Sequence, residues 1–362
     1  MSILQALVLG IVQGLTEFIP ISSTAHLVLA GRVMNLSLNA EQTTATIAVI
    51  QLGTLLAVLI YFARDMWNIS HAFMRDHLAL LRGERSAAAL EIRTGTVPHR
   101  LSQEARLGWL VIIGSLPVGI VGLLFKRQIE GTFTKNLWVI ATMLIAVALL
   151  LLLAEMTGKR KRTMADLGLI DALAVGGAQV LALIPGASRS GSTIMGGLFV
   201  GETRETAARF SFLLSIPAIA ASGLLELKEA IERLPAENYL PLAVSTIVAG
   251  VVGYASIWFL LYYLRTHSTN IFIGYRVVVG VIILALLFGG IIRPLDESQV
   301  AVGAAPQAAA AVQEKALDSE PSVTMSEINA NKNRQDSVNS SRPSSKRGSM
   351  WSETGSKGRS AL

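Results

Sequence analysis

Long apolar runs separated by short polar breaks fill most of this 362-residue chain. "ATIAVIQLGTLLAVLIYF" (Ala45–Phe62), "LGWLVIIGSLPVGIVGLLF" (Leu107–Phe125), "LWVIATMLIAVALLLLLAEM" (Leu137–Met156) and "YRVVVGVIILALLFGGII" (Tyr275–Ile292) are each long enough to cross hydrocarbon as a helix. Two further spans are expected near Phe210–Leu227 and Leu240–Leu264. Lipid offers no partner to a bare peptide group, so runs of this length are expected to be helical. The fold class is therefore an all-α polytopic membrane protein. Composition agrees: 52% of residues are hydrophobic and only 15% are charged, against about 25% charged in soluble domains.

Two apolar segments are interrupted in the same way. They are "QGLTEFIPISSTAHLVLAG" from Gln13 and "QVLALIPGASRSGSTIMGG" from Gln179 to Gly197. In each, a Gln lies six or seven residues before a Pro, and a Ser-rich turn and Gly-containing apolar sequence follow. Pro20 and Pro185 break a helix by removing a donor and clashing with the preceding turn. The serines behind them favour the start of a new helix. Each opening is expected to be a re-entrant hairpin, helix–break–helix, followed by about three transmembrane helices. The chain then reads as two repeats, about 1–157 and about 165–292. An odd number of spans makes them inverted, and broken helices at matching places mark binding sites in repeat-built membrane proteins.

Charge sets the expected orientation. The basic cluster Gly158–Arg162 belongs in the cytoplasm by the positive-inside rule. Counting spans from it places the loop Ala63–Arg106 in the cytoplasm and the first opening and Leu227–Asn238 outside. The net charge of +6 needs no nucleic acid to explain it. Cysteine is absent, which excludes thiolate chemistry, disulfides and cysteine metal sites. Beyond the membrane-embedded domain, 1–292, residues 293–362 are rich in Ser, Ala and mixed charge and are expected to be a disordered tail. Gly114, Gly119, Gly122, Gly250 and Gly253 read as close helix packing. Glu202, Arg204 and Arg209 read as solvated or interfacial flanks.

The chemistry concentrates at the two breaks. A helix starting at Ser22–Ser23 points free N–H groups and a positive dipole end inward, an anion site before any side chain is counted. Ser23 and His26 share a helix face, as do Gln13 and Glu17. The second break adds Ser188, Arg189 and Ser190; a guanidinium suits phosphate oxygens. If the breaks meet, the set suits a phosphate ester or diphosphate held with a divalent cation. Other readings stay open: the serines as helix caps, Arg189 paired structurally with Glu17, or a transporter or flippase carrying a lipid phosphate through the same pocket.

The stretches "GLTEFIPISSTAHL" and "PGASRSGST" resemble the two signature motifs of the undecaprenyl-diphosphate phosphatases, the bacitracin-resistance phosphatases. The resemblance covers about Met1 to Ile292. It implies hydrolysis of a C55 isoprenyl diphosphate to the monophosphate and inorganic phosphate, recycling the lipid carrier of cell-wall and other envelope polymers. It also implies a divalent cation, Mg2+ or Ca2+, a place in the bacterial inner membrane, and a site open to the external side. The implied partners are the polyprenyl diphosphate and membrane lipids, with a homo-oligomer compatible. The family's functional positions correspond to Glu17, Ser22, Ser23 and His26, then Ser188 and Arg189. Tyr275 and Arg276 resemble a further recurring pair. By this reading Glu17, Ser23, His26 and Arg189 are catalytic, with Ser23 or water as nucleophile and His26 or Glu17 as base. Ser22, Ser188, Ser190 and Gln13 bind substrate, and Glu17 and Gln13 hold the metal. Two departures stand out: Gln13 and Ala25 occupy positions where many members have Glu and Gly.

Overall fold

The computed structural model describes residues 1–36, 40–82, 101–125, 136–233 and 239–294. Among them are eleven α-helices and no strand. The first hairpin is α1 (Ile3–Phe18) and α2 (Ser23–Val33), followed by α3 (Ala40–Tyr61), α4 (Ala63–Leu81), α5 (Gln103–Leu124) and α6 (Leu137–Thr157). The second is α7 (Leu169–Leu181) and α8 (Arg189–Phe199), followed by α9 (Arg204–Arg233), α10 (Tyr239–Leu264) and α11 (Asn270–Phe288). Both openings are thus helix–break–helix, each with a second arm of 11 residues. The tail expected from 293 onward lies outside the described residues beyond Pro294.

Four helices, α5, α6, α10 and α11, are long and apolar enough to cross a membrane. The pair α3–α4 makes a fifth if counted as one span bent by 70°. The expected stretch Phe210–Leu227 lies within α9 but does not enter that count. In α5 only 17% of the most apolar window is buried against protein, so its apolar surface has lipid as its natural partner. The chain is a multi-pass membrane protein.

The hairpins pack crosswise. α1 lies along α10, and α7 lies along α5. Small residues allow the close approach: Gly10 and Gly14 sit against the backbone of Ser245 and Ala249, and Gly176 sits on the Gly114 carbonyl. Gly53 does the same against Thr246 in the contact of α3 with α10. Gly119 and Gly122, expected at such contacts, are not: a Cβ would meet nothing within 4 Å at Gly119 and only a Leu183 methyl at 3.9 Å at Gly122. The core runs from Phe18 through Phe62, Leu151, Leu198, Phe212 and Leu260. Phe18 meets Phe212 edge-on at 5.4 Å, which seats the end of α1 beside α9.

Three expectations at the membrane flanks need correction. The loop expected from Ala63 begins as a helix, α4, because Phe62 bends the chain without ending its helical pairing; Asp65 then bonds Arg209 at 2.7 Å. Arg204 is not merely solvated: with Arg160 it bonds the buried Glu155, which also accepts from Thr269 at 2.8 Å. Glu202 is fully buried, and neither carboxyl oxygen has a partner among the described residues. The Arg162 carbonyl accepts from Thr203 N–H at 2.8 Å and the Gly201 carbonyl from Arg162 N–H at 3.0 Å. That clamp turns the Glu202 side chain inward against Gly197. Burial, then the neighbouring Asp171 carboxylate, raise its pKa to about 8 against the opposing pull of Arg162.

Gly176→Ala should lower the thermal unfolding midpoint, since overpacking of this kind costs about 1–3 kcal/mol. Gly177→Ala, where a Cβ meets nothing within 4 Å among the described residues, should not lower it and should raise it slightly, since Ala is about 0.5–1 kcal/mol better than Gly inside a helix. Glu202 holds its proton when folded to about pH 8, so the folded state binds the extra proton and stability falls as pH rises from about 4.5 toward 8. Glu202→Gln should flatten that fall and raise the midpoint at pH 8 and above, read by thermal unfolding across pH.

Candidate functional site

The sequence ends α1 at the residue before Ile19 and Pro20, and starts α2 at Ser23. It ends α7 at Leu181 and starts α8 at Arg189, after Pro185 and Gly186. Gly186 has φ +89° and faces the Ile140 carbonyl, where any Cβ would strike backbone. The two breaks converge. Ser190 Oγ donates to the Ile19 carbonyl at 3.3 Å, and Arg189 Nη2 donates to Glu17 Oε1 at 2.9 Å.

Arg276 holds the convergence. It is fully buried, and carbonyls surround its guanidinium. Nη1 donates to Pro20 O at 3.2 Å, and Nη2 to Gly186 O at 3.1 Å and Ala187 O at 2.9 Å. Nε donates to Leu144 O at 3.2 Å. One side chain from α11 thus ties the first break, the second break and α6 together. Periodicity gave no sign of this; the only prior pointer was its place in the resemblance.

Glu17 is 6% exposed and Gln13 is fully buried one turn earlier. Gln13 Nε2 donates to Glu17 Oε2 at 2.9 Å, so both carboxylate oxygens have a donor. Three buried polar atoms here have no hydrogen-bond partner among the described residues: the acceptor Gln13 Oε1, the donor Arg189 Nη1 and the hydroxyl Ser192 Oγ. Gln179, the glutamine of the second hairpin, is also buried, and neither amide atom has a partner among the described residues. Buried polar groups are normally bonded, so these atoms mark a place shaped for a ligand.

The serines divide by role. Ser188 caps α8, its Oγ accepting from Gly191 N–H at 3.1 Å and lying 3.2 Å from Ser190 Oγ. Ser22 makes no side-chain cap bond, so the reading of it as a cap is corrected. Its carbonyl accepts from His26 Nδ1 at 2.7 Å, while Tyr275 OH lies 2.7 Å from His26 Nε2 and stacks on the ring. That assigns Nδ1–H and a lone pair on Nε2. His26 is therefore held by Tyr275 rather than by Ser23, which lies half-buried in the first turn of α2 with no hydroxyl partner among the described residues. Ala25 is buried within α2 on ordinary helical backbone, so its departure from Gly costs nothing here.

No three His, Asp or Glu side chains come together among the described residues. A divalent cation fits under one condition: Glu17 and the unpartnered Gln13 carbonyl supply the protein ligands, and phosphate and water supply the rest. That is the usual habit of Mg2+ at phosphoryl sites.

Fold and site together define a multi-pass helical membrane protein with a buried polar site where two helix breaks meet. The chain belongs to the family of the bacitracin resistance protein BacA, whose family model matches residues 6–282. It is 51% identical over 290 residues to the undecaprenyl-diphosphatase of Syntrophobacter fumaroxidans, covering 80% of this chain and 98% of that one. It is 47% identical over 313 residues to that of Nocardia farcinica (81% and 98%) and 47% over 296 residues to that of Myxococcus xanthus (82% and 93%).

Arg276→Lys keeps the charge but has three donors on a point rather than a planar fork. It should leave carbonyls of both breaks unpaired, at about 1–3 kcal/mol for each buried group. The expected result is a fall in the thermal midpoint clearly larger than that of Gly176→Ala.

Proposed function

We propose that this protein hydrolyses undecaprenyl diphosphate to undecaprenyl phosphate and inorganic phosphate at the meeting point of the two breaks. The observation that carries the reading is the Glu17–Arg189 contact, 172 residues apart in sequence, 2.9 Å in space. It joins the two interrupted segments, Gln13–Gly31 and Gln179–Gly197, at one point. The names of the relatives speak for hydrolysis rather than for transport.

Before substrate arrives, Glu17 and Arg189 compensate each other, which limits the cost of two buried charges. The diphosphate takes Arg189 Nη1 and the free N–H groups at the starts of α2 and α8. These donors are fixed in a water-poor setting and face the oxygens where charge builds in phosphoryl transfer. Ser190 and Ser188 shape the second break around them, and Ser22 holds His26. Ser23 Oγ attacks the terminal phosphorus, the bond to the bridging oxygen breaks, and undecaprenyl phosphate leaves; water then hydrolyses the phosphoserine. His26 Nε2 takes the serine proton once the Tyr275 hydroxyl yields it, with Glu17 the other base in reach of the same chemistry. Direct attack by water with His26 as base is the competing route. Glu17 and Gln13 would hold a divalent cation, Mg2+ or Ca2+, whose charge would neutralise diphosphate oxygens.

The repeats are inverted, each a re-entrant hairpin plus about three spans. The crosswise packing of α1 on α10 and α7 on α5 supports the repeat, because it exchanges one half for the other; the odd number of spans in each half supports the inversion. The site opens to the external side of the bacterial inner membrane. Arg276 bonds α6 at Leu144, about 10 Å from its start and about 19 Å from its end at 1.5 Å per residue. The basic cluster, cytoplasmic by the positive-inside rule, follows that far end.

Purified protein should release phosphate from undecaprenyl diphosphate only with divalent cation present. Arg189→Ala and Glu17→Gln should each cut turnover by about 100-fold or more, measured well below the thermal midpoint, which should itself fall because each change leaves the partner charge buried and unpaired. No release by the wild type with Mg2+ or Ca2+ overturns the reading. Ser23→Ala separates the routes: near-normal turnover leaves water attack, whereas loss of turnover with a wild-type phosphoserine peptide after rapid quench establishes the covalent one.

A further inference from the structure

At the opposite end of α6 and α8 from the site lies a cavity of about 810 Å3. Lys159, Arg160, Arg204, Arg209 and Arg265 line it, with Glu205 as its one carboxylate. α8 separates it from Arg189 by 11 residues, about 16 Å of helix, so it does not belong to the hydrolytic site.

A basic cluster beside a membrane is ordinarily a solvated orientation signal, with side chains spread outward. Here they converge. Arg204 and Arg160 reach in to the buried Glu155, and Arg265 is held by Glu205 at 3.0 Å and Arg209 by Asp65 at 2.7 Å. Each guanidinium spends part of its five-donor fork on its carboxylate and keeps other N–H groups. Lys159 completes the ring. The first turn of α9 opens into the same space: Thr203 and Thr206, its cap and first-turn hydroxyls, also line it. Cationic side chains and a helix N-terminus on one concavity make an anion site. The volume falls in the range of small-ligand pockets, about 300–1,000 Å3, and exceeds what a single inorganic ion fills. Basic pockets between helices at a membrane surface take phosphate headgroups of lipids.

We infer that this cavity binds a phosphate-bearing anion, separate from the substrate headgroup, with an anionic phospholipid headgroup the chemistry it fits. The test uses the delipidated full chain in detergent. Phosphatidylglycerol and phosphatidylcholine binding are read by native mass spectrometry, and inorganic phosphate binding by titration calorimetry. The proteins compared are wild type, Lys159→Ala/Arg265→Ala, and Lys161→Ala, whose side chain lies outside the cavity lining. Removing two cations should weaken phosphatidylglycerol binding at least about tenfold, leave phosphatidylcholine unchanged, and be absent in Lys161→Ala. Loss confined to inorganic phosphate in the double variant assigns the site to the soluble ion instead of the lipid. If neither anion binds the double variant more weakly than Lys161→Ala, the inference fails.

Discussion

A helix broken inside a protein must find partners for the carbonyls it leaves open, because a buried carbonyl without one is costly. Here two breaks depend on one donor set, the Arg276 guanidinium. It bonds Pro20 from the first hairpin, Gly186 and Ala187 from the second, and Leu144 from α6. No carboxylate bonds it among the described residues; the carbonyl dipoles compensate its charge instead. The arrangement fixes the separation of the breaks, and with it the reach from Arg189 to Glu17. It also explains a glycine: at Gly191 a Cβ would stand 2.7 Å from Arg276 Nη1, so the first turn of α8 closes on the guanidinium only without a side chain there.

Once the backbone is satisfied, the remaining polar atoms define what the site lacks. The Glu17 oxygens have donors, yet Gln13 Oε1, Arg189 Nη1 and Ser192 Oγ have no partner among the described residues. An acceptor and donors left bare in one buried region ask for a ligand that both accepts and brings positive charge. The proposed diphosphate with a cation would meet both demands. A plain structural ion pair meets neither, since it would leave the same atoms unsatisfied.

Much of this was legible in the sequence, for identifiable reasons. α5, α6, α10 and α11 are continuous apolar runs, and hydropathy reads them directly. The hairpins were legible because Pro and clustered Ser interrupt apolar sequence, which hydrocarbon does not tolerate without cause. α4 was not: its charged residues read as loop, whereas its helix is held by local pairing and by Asp76 accepting from Ser102 N–H at 2.7 Å. Glu202 was misread because a charged residue after a Gly at a helix end is usually solvated; only the backbone clamp with Arg162 turns it inward. The hold of Tyr275 on His26 spans 249 residues, and no local pattern encodes a contact of that range.

Ser22 and Ser188 show why the two breaks are equivalent in shape but not in chemistry. Both have positive φ, 79° and 69°, a conformation that costs a side-chain-bearing residue about 1–3 kcal/mol and persists only where its surroundings enforce it. Each stands immediately before a helix of 11 residues. At Ser188 the hydroxyl caps that helix, so glycine would relieve the backbone but remove the cap. At Ser22 the hydroxyl caps nothing, so the strained backbone keeps a side chain that the fold does not use. Its carbonyl orients His26, a task glycine performs as well. The proposed substrate role gives that hydroxyl a use that capping does not.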